Sequence, residues 1–266
     1  MRTAGGIEWE RLGDGPGPAL LLVPGMGALR STWGELLPLL AERRRCLVFD
    51  PPGLGASAPC GEGFTLHGYA AGLAALLREA GETPAVAVGH AYGGRVAQLL
   101  AAEHPAVVRA LVVLGNGAIF PPAPDTVKRF LGLGDRGLSR EAFRASFLEL
   151  LCGPHFAAED PLRAEALVEQ EWRERQSRGT TRPHRKAVTE TPVLDYWGRA
   201  RCPTLLVYGT EDRFGTRENA LDLQARLPGS RLVWLEGAGH YLTRERPAAV
   251  AQAILDFTDG LASAGG

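Results

Sequence analysis

The 266-residue chain has four cysteines, two lysines and only 7% aromatic residues. Cys46, Cys60, Cys152 and Cys202 lie far apart, without the close paired spacing of a zinc or redox motif, so free structural thiols are expected and a metal site is not. Charge of one sign is missing as well, since 29 Lys and Arg stand against 30 Asp and Glu and leave a net charge of −1. Without a basic stripe, neither nucleic acid nor an anionic membrane is an expected partner. The apolar runs at 19–23 and 110–114 are far too short to cross a bilayer, and residues 1–6 lack the apolar stretch of a secretion signal. A cytoplasmic protein is expected. No phosphate loop or dinucleotide fingerprint occurs, because Gly53-Leu54-Gly55 lacks a third glycine, and no cofactor is expected.

What the chain does have is a rhythm. Short Val- and Leu-rich runs at 19–23, 45–50, 85–90, 109–116, 204–209 and 231–236, all but the first ending in Gly, Asp, Asn, Glu or His, alternate with stretches of helical period at 32–43, 66–80, 91–103, 217–227 and 246–261. That alternation predicts six parallel strands with helices on both faces of the sheet. Residues 7–12 are expected as an antiparallel edge turning at Gly13-Asp14-Gly15. The rhythm stops after Asn116. Residues 117–201 contain no convincing strand and predict helices at 124–133, 140–151, 161–178 and 192–199, an inserted helical cap within a core of 1–116 and 202–266. A small flexible tail is expected at 262–266. Within the cap, residues 172–186 hold six basic side chains against one acid, either a solvated face or a landing site for an acidic substrate or carrier.

The decisive segment is Val86-Ala87-Val88-Gly89-His90-Ala91-Tyr92-Gly93-Gly94. A strand runs into a helix through a turn of small residues, with glycines two places either side of residue 91. In G-x-S-x-G the glycines permit close packing around a strained residue whose side chain stands above the sheet. Here the central residue is Ala91, which has no nucleophilic atom.

Four motifs in order make the chain resemble the α/β-hydrolase fold family over nearly its whole length. Val23-Pro24-Gly25-Met26-Gly27 is similar to the family's oxyanion loop, with Pro24 where a histidine is frequent. Asp50-Pro51-Pro52-Gly53-Leu54-Gly55-Ala56-Ser57 resembles its D-x-x-G-x-G-x-S loop, Gly209-Thr210-Glu211-Asp212 the site of the acid, and Gly237-Ala238-Gly239-His240 the histidine loop. Positions 91, 212 and 240 keep the family's chain order of nucleophile, acid and histidine. The resemblance implies an α/β-hydrolase fold with a mostly parallel sheet and a helical cap.

The roles it implies are chemically coherent. His240 would serve as general base toward a hydroxyl at position 91, Asp212 would fix the imidazole tautomer, and the backbone N–H groups of Met26 and Tyr92 would face the developing oxyanion. Glu211 and Asp222 compete with Asp212 for the acid. Trp33 and His90 are candidate substrate-binding residues, His90 also a candidate catalytic group. Ser57 is a candidate displaced nucleophile beside a structural reading, and Asp50 is expected to fix loop backbone.

Alanine at 91 divides the function. One reading is a disarmed serine hydrolase of an ester, lactone or thioester, since removing a serine nucleophile alone lowers kcat on the order of 10⁶-fold. A second is a native Ala91 protein in which His240 and Asp212 abstract a proton next to a carbonyl, as in a lyase, elimination or cyclisation catalyst. A third is a non-catalytic binding module. Relatives with an aspartate nucleophile are disfavoured, because residue 91 is not Asp. The expected partner is a small molecule with an ester-like or carbonyl group, alternatively an acyl group on a carrier protein. Arginine outnumbers lysine 27 to 2, the coding bias of a GC-rich genome, and with the large cap this suits a tailoring enzyme of bacterial secondary metabolism.

Overall fold

The computed structural model describes all residues except Arg2, Ala4, 120–122 and 264–266. Seven strands form one sheet: β1 (Trp9–Leu12), β2 (Leu20–Val23), β3 (Cys46–Phe49), β4 (Ala85–His90), β5 (Val108–Leu114), β6 (Thr204–Gly209) and β7 (Arg231–Leu235). Their order is β1-β3-β2-β4-β5-β6-β7, and β2 to β7 are mutually parallel. The central strands carry Val, Leu and Ala on both faces because helices cover both, which is why they read as continuous apolar runs. The six-strand expectation holds. β1 is the antiparallel edge, but it pairs with β3, with Trp9 opposite Phe49, so the turn at 13–15 leads away from a hairpin and into the interior.

Among the described residues eleven α-helices follow in chain order: α1 (Leu36–Ala41), α2 (Leu66–Glu79), α3 (Tyr92–Glu103), α4 (Pro124–Gly132), α5 (Arg140–Leu151), α6 (Phe156–Glu159), α7 (Pro161–Glu174), α8 (Arg182–Glu190), α9 (Arg217–Arg226), α10 (Leu242–Glu245) and α11 (Pro247–Ser263). Buried side chains of α2, α3 and α9 pack on one face of the sheet, and those of α1, α10 and α11 on the other. Among the described residues no helix is long and apolar enough to cross a membrane.

Several boundaries differ from expectation for local reasons. The helix expected over 32–43 divides into a 3₁₀ turn (Arg30–Trp33) and α1, broken at Gly34, which has a φ of 41°. The helix expected over 246–261 is preceded by α10 and starts at Pro247, where a missing N–H does no harm. α11 runs to Ser263, so the tail expected at 262–266 begins as helix, and 264–266 lie outside the described residues.

Between β5 and β6 stand α4 to α8. The helix expected to 178 stops at Glu174, because Arg175 turns to extended backbone (ψ 131°) and lays its guanidinium 3.4 Å from the centre of the Trp172 ring. Residues 192–199 form only a 3₁₀ turn (Val193–Asp195). α8 was not legible because only His184 and Ala187 of its nine residues are buried, leaving no apolar stripe to detect. Side chains of α5, α6 and α7, including Phe143, Phe147, Phe156 and Leu167, form an apolar cluster of their own. α8 packs instead on the sheet-side core through Ala187.

Packing is tight enough to exclude any side chain where β2, β4 and α3 meet. A Cβ on Gly93 would lie 2.1 Å from the Val23 carbonyl oxygen, and one on Gly89 would lie 2.3 Å from the Gly93 carbonyl oxygen. Backbone touches backbone here, so nothing flexible can yield. Gly93→Ala is expected to lower stability by about 3 kcal/mol or to prevent folding. The urea midpoint measures this, and a variant as stable as the parent would show that the contact relaxes freely.

Candidate active site

The Gly89–Gly93 crowding forces the chain to reverse sharply at Ala91, which has φ 50° and ψ −115° and is the one non-glycine residue with positive φ among the described residues. Such backbone is strained by about 1–3 kcal/mol and persists only where its surroundings over-determine it. They do so here. The Ala91 N–H donates to the Leu114 carbonyl at 2.9 Å, while its own carbonyl accepts from Gly94 N–H and from the Asn116 amide. Asn116 is fully buried and is itself held by Gln98, whose amide donates to Asn116 Oδ1 at 3.3 Å. The Tyr208 hydroxyl donates to the Asn116 carbonyl at 2.8 Å.

His240 and Asp212 meet above the carboxyl ends of β6 and β7. His240 Nδ1 lies 2.9 and 3.0 Å from the two Asp212 carboxylate oxygens, so Nδ1 carries the proton and donates it. Asp212 Oδ1 also accepts from the backbone N–H groups of Phe214 (2.7 Å) and Gly215 (2.9 Å). Fixed donors of this kind hold the carboxylate in the absence of water, and its side chain is fully buried. Glu211 is exposed, and Asp222 accepts from Trp197 Nε1 at 2.6 Å and pairs with Arg226, so neither is bonded to His240.

The histidine loop has a second anchor that the motif does not disclose. The buried Glu245 carboxylate accepts from Gly153 N–H at 2.7 Å and from Gly239 N–H at 3.1 Å. It thereby ties the residue before His240 to the end of α5. Burial pushes its carboxyl up to about 7.

Ala91, His240, Met26, Tyr92 and His90 all line one cavity of about 420 Å³. The N–H groups of Met26 and Tyr92 donate to no protein acceptor among the described residues, Tyr92 because it is the first residue of α3. His90 Nε2–H donates to the His240 carbonyl at 2.8 Å, with ring centres 5.2 Å apart. His90 therefore buttresses His240 as well as lining the cavity.

The other candidates lie elsewhere. Trp33 is fully buried in the core layer with Leu36 and Leu242, on the sheet face away from the cavity wall formed by α3. The Ser57 hydroxyl donates to the Asp50 carbonyl at 2.6 Å and accepts from Glu8 N–H at 2.8 Å, while the Asp50 carboxylate accepts from Arg30 and Ala56 N–H. Both fix loops. All four cysteines are free, and burial pushes Cys46 up to about 12 and raises the others, which keeps the thiols protonated. The basic stretch at 172–186 is not one face: Arg173 pairs with Glu169, Lys186 with Glu190, Arg175 stacks on Trp172, and Arg185 reaches the cavity.

A residue outside the motifs joins α8 to this site. His184 Nε2–H donates to the Pro52 carbonyl at 2.7 Å, leaving Nδ1 to accept the Tyr92 hydroxyl at 2.9 Å.

Burial, and then the neighbouring His240 charge, push His90 from 6.5 down to about 4. The unfolded chain takes up that proton near pH 6.5 and the folded chain only near 4, so His90 makes stability fall as pH drops across this range, by at most about 1.4 kcal/mol per pH unit. Glu245 and Glu171, both pushed up to about 7, act with the opposite sign above pH 4.5. Comparing the chain with His90→Gln isolates the histidine: between pH 7 and pH 5 the parent should lose more stability, or gain less, than the variant in urea unfolding. Parallel pH profiles would refute the assignment.

Comparison with known proteins fits this geometry. A sequence model described as the alpha/beta hydrolase family matches residues 20–253. A polyketide synthase, ThaQ of Burkholderia thailandensis, is 30% identical over 97% of this chain, although the chain spans only 12% of that synthase's length. A pimeloyl-[acyl-carrier protein] methyl ester esterase of Neisseria meningitidis serogroup C is 29% identical over 90% of this chain and 93% of its own. The enol-lactonase of Burkholderia xenovorans LB400 superposes with a TM-score of 0.80 over 94% of this chain and 95% of that one, at 21% identity, a likeness of fold.

Proposed function

The chain belongs to the α/β hydrolase family, and from that membership we propose that its site is built to hydrolyse a carboxylic ester, lactone or thioester by a Ser-His-Asp acyl-enzyme route, with Ala91 at the nucleophile position. The observation that carries this reading is the backbone of Ala91. A methyl group gains nothing from φ 50°, yet the strained turn, the His240–Asp212 pair and the two free N–H groups all converge on it. Residues 117–201 act in this reading as a cap over the cavity.

With a serine at 91, the mechanism runs through groups already in place. Asp212 takes Nδ1–H, which leaves Nε2 as the basic nitrogen of His240. Nε2 accepts the hydroxyl proton as the serine oxygen attacks the carbonyl carbon, and the oxyanion is received by the N–H groups of Met26 and Tyr92. The imidazolium then gives its proton to the departing alcohol or thiol. Water, deprotonated by His240, attacks the acyl-enzyme and releases the acid. With alanine no covalent step occurs, and the chain holds its substrate intact.

The esterase of a carrier-protein-bound methyl ester and the polyketide synthase among the relatives support an acyl substrate offered free or on a carrier protein, in a tailoring role in bacterial secondary metabolism.

Intact-mass labelling with a fluorophosphonate tests the reading. Ala91→Ser should gain the mass of the probe, and the same protein carrying His240→Ala should label at least 100-fold more slowly. The alanine chain should not label. A folded Ala91→Ser protein that stays unlabelled would overturn the proposal and move attention to proton abstraction by His240 on the unaltered chain.

A further inference from the structure

Several arginines around the helical insertion are matched with carboxylates. Arg129 pairs with Glu149 (2.6 Å), Arg140 with Glu169 (3.0 Å), Arg163 with Glu35 (2.9 Å) and Arg246 with Glu159 (2.8 Å). Other arginines have no ion pair among the described residues, and two of these, Arg95 and Arg185, stand on the wall of the 420 Å³ cavity. Arg95, on α3, donates to the Gly117 carbonyl, and Arg185, on α8, donates to the Arg178 carbonyl at 2.7 Å. Neither has a carboxylate partner among the described residues. Among the described residues no Asp or Glu lines the cavity.

Each guanidinium offers five N–H donors in a rigid fork, and one backbone carbonyl, joined at Arg95 by the neighbouring Tyr196 hydroxyl, occupies only part of it. Arg185 is half-buried, and its Nε is buried with no acceptor. A desolvated donor left open is unfavourable, and here it stands on the wall of the cavity. The two side chains come from helices that already meet at Tyr92: Arg95 lies one turn beyond it on α3, and Arg185 follows His184, which accepts the Tyr92 hydroxyl. Arg95 begins about 6 Å along the helix from Ala91. The rest of the wall there is apolar, with Val127, Phe130, Val188 and Phe214.

We propose that the substrate of this cavity is bifunctional, carrying its ester-like carbonyl at the Ala91–His240 end and a carboxylate that Arg95 and Arg185 bind. The apolar wall receives the carbon chain between the two groups, and the guanidinium forks supply the charge-assisted hydrogen bonds that the carboxylate leaves water for. This rests on the reading of the cavity as an ester site.

Calorimetric titration of the chain as it stands tests it without turnover. Monomethyl adipate is compared with dimethyl adipate, and 4-acetoxybutyrate with its methyl ester, so that an anion on the acyl side and one on the alcohol side are both sampled. In at least one pair the anion should bind at least tenfold more tightly than its neutral partner, and Arg95→Gln and Arg185→Gln, checked for folding by thermal unfolding, should each reduce that ratio at least threefold. Methyl 6-aminohexanoate, the cationic counterpart, should bind more weakly than dimethyl adipate. That comparison needs no variant. Equal affinities in both pairs, a preference that survives both substitutions, or tight binding of the cation would each overturn the proposal. An unlabelled Ala91→Ser protein would overturn the ester reading without altering the anion ratio, whereas a labelled serine with no anion preference would overturn this inference alone.

Discussion

The rest of the site depends on the absence of two side chains. Gly89 and Gly93 let the end of β4, the start of α3 and the Val23 carbonyl at the end of β2 approach until backbone meets backbone. A chain so confined cannot spread its turn over several residues. It concentrates the reversal in residue 91, which must take a positive φ whatever its side chain. The same crowding starts α3 immediately afterwards, which leaves the N–H of Tyr92, a residue of the cavity wall, unpaired within the helix.

Buried polar groups then fix what packing alone would leave loose. Asn116, Gln98 and Tyr208 hold the carbonyl side of the turn, while Phe214 and Gly215 N–H groups hold Asp212 and through it the ring of His240. The donors and acceptors that face the turn and the histidine are held by partners that are themselves held, so the arrangement requires little reorganisation when charge develops. Glu245 has a different character. Its carboxylate accepts three contacts from two N–H groups and still lies in an environment that resists its charge, so it anchors the histidine loop on a group that titrates near neutrality.

Much of this was legible in the sequence because backbone geometry imposes residue type. Glycine at 89 and 93, the acid ending β6 and the histidine after β7 were readable, and the ends of β4 and β6 and both ends of α5 fell where expected. What escaped was what has no period. Asn116, Gln98 and Glu245 are single polar residues in the interior, and nothing in their neighbours distinguishes them from solvated ones. Trp33 follows a glycine-rich loop and so suggests a pocket wall, but the break at Gly34 turns it into the core layer. α8 lacked an apolar stripe because it is attached by one imidazole and one alanine face.

The two attachments within residues 117–201 give that segment an uneven tolerance to inherited change. α5 to α7 close around an aromatic cluster of their own, so side chains inside it can change in concert while the sheet is undisturbed, provided that the chain after α5 still meets Glu245 and the histidine loop. α8 has no such freedom, since His184 shares a proton with the residue that follows the turn and lies against the Pro52 carbonyl. Inherited change is therefore channelled: the interior of the α5–α7 cluster is open to exchange, while the strip bearing Arg185, which lines the cavity, is tied to the core.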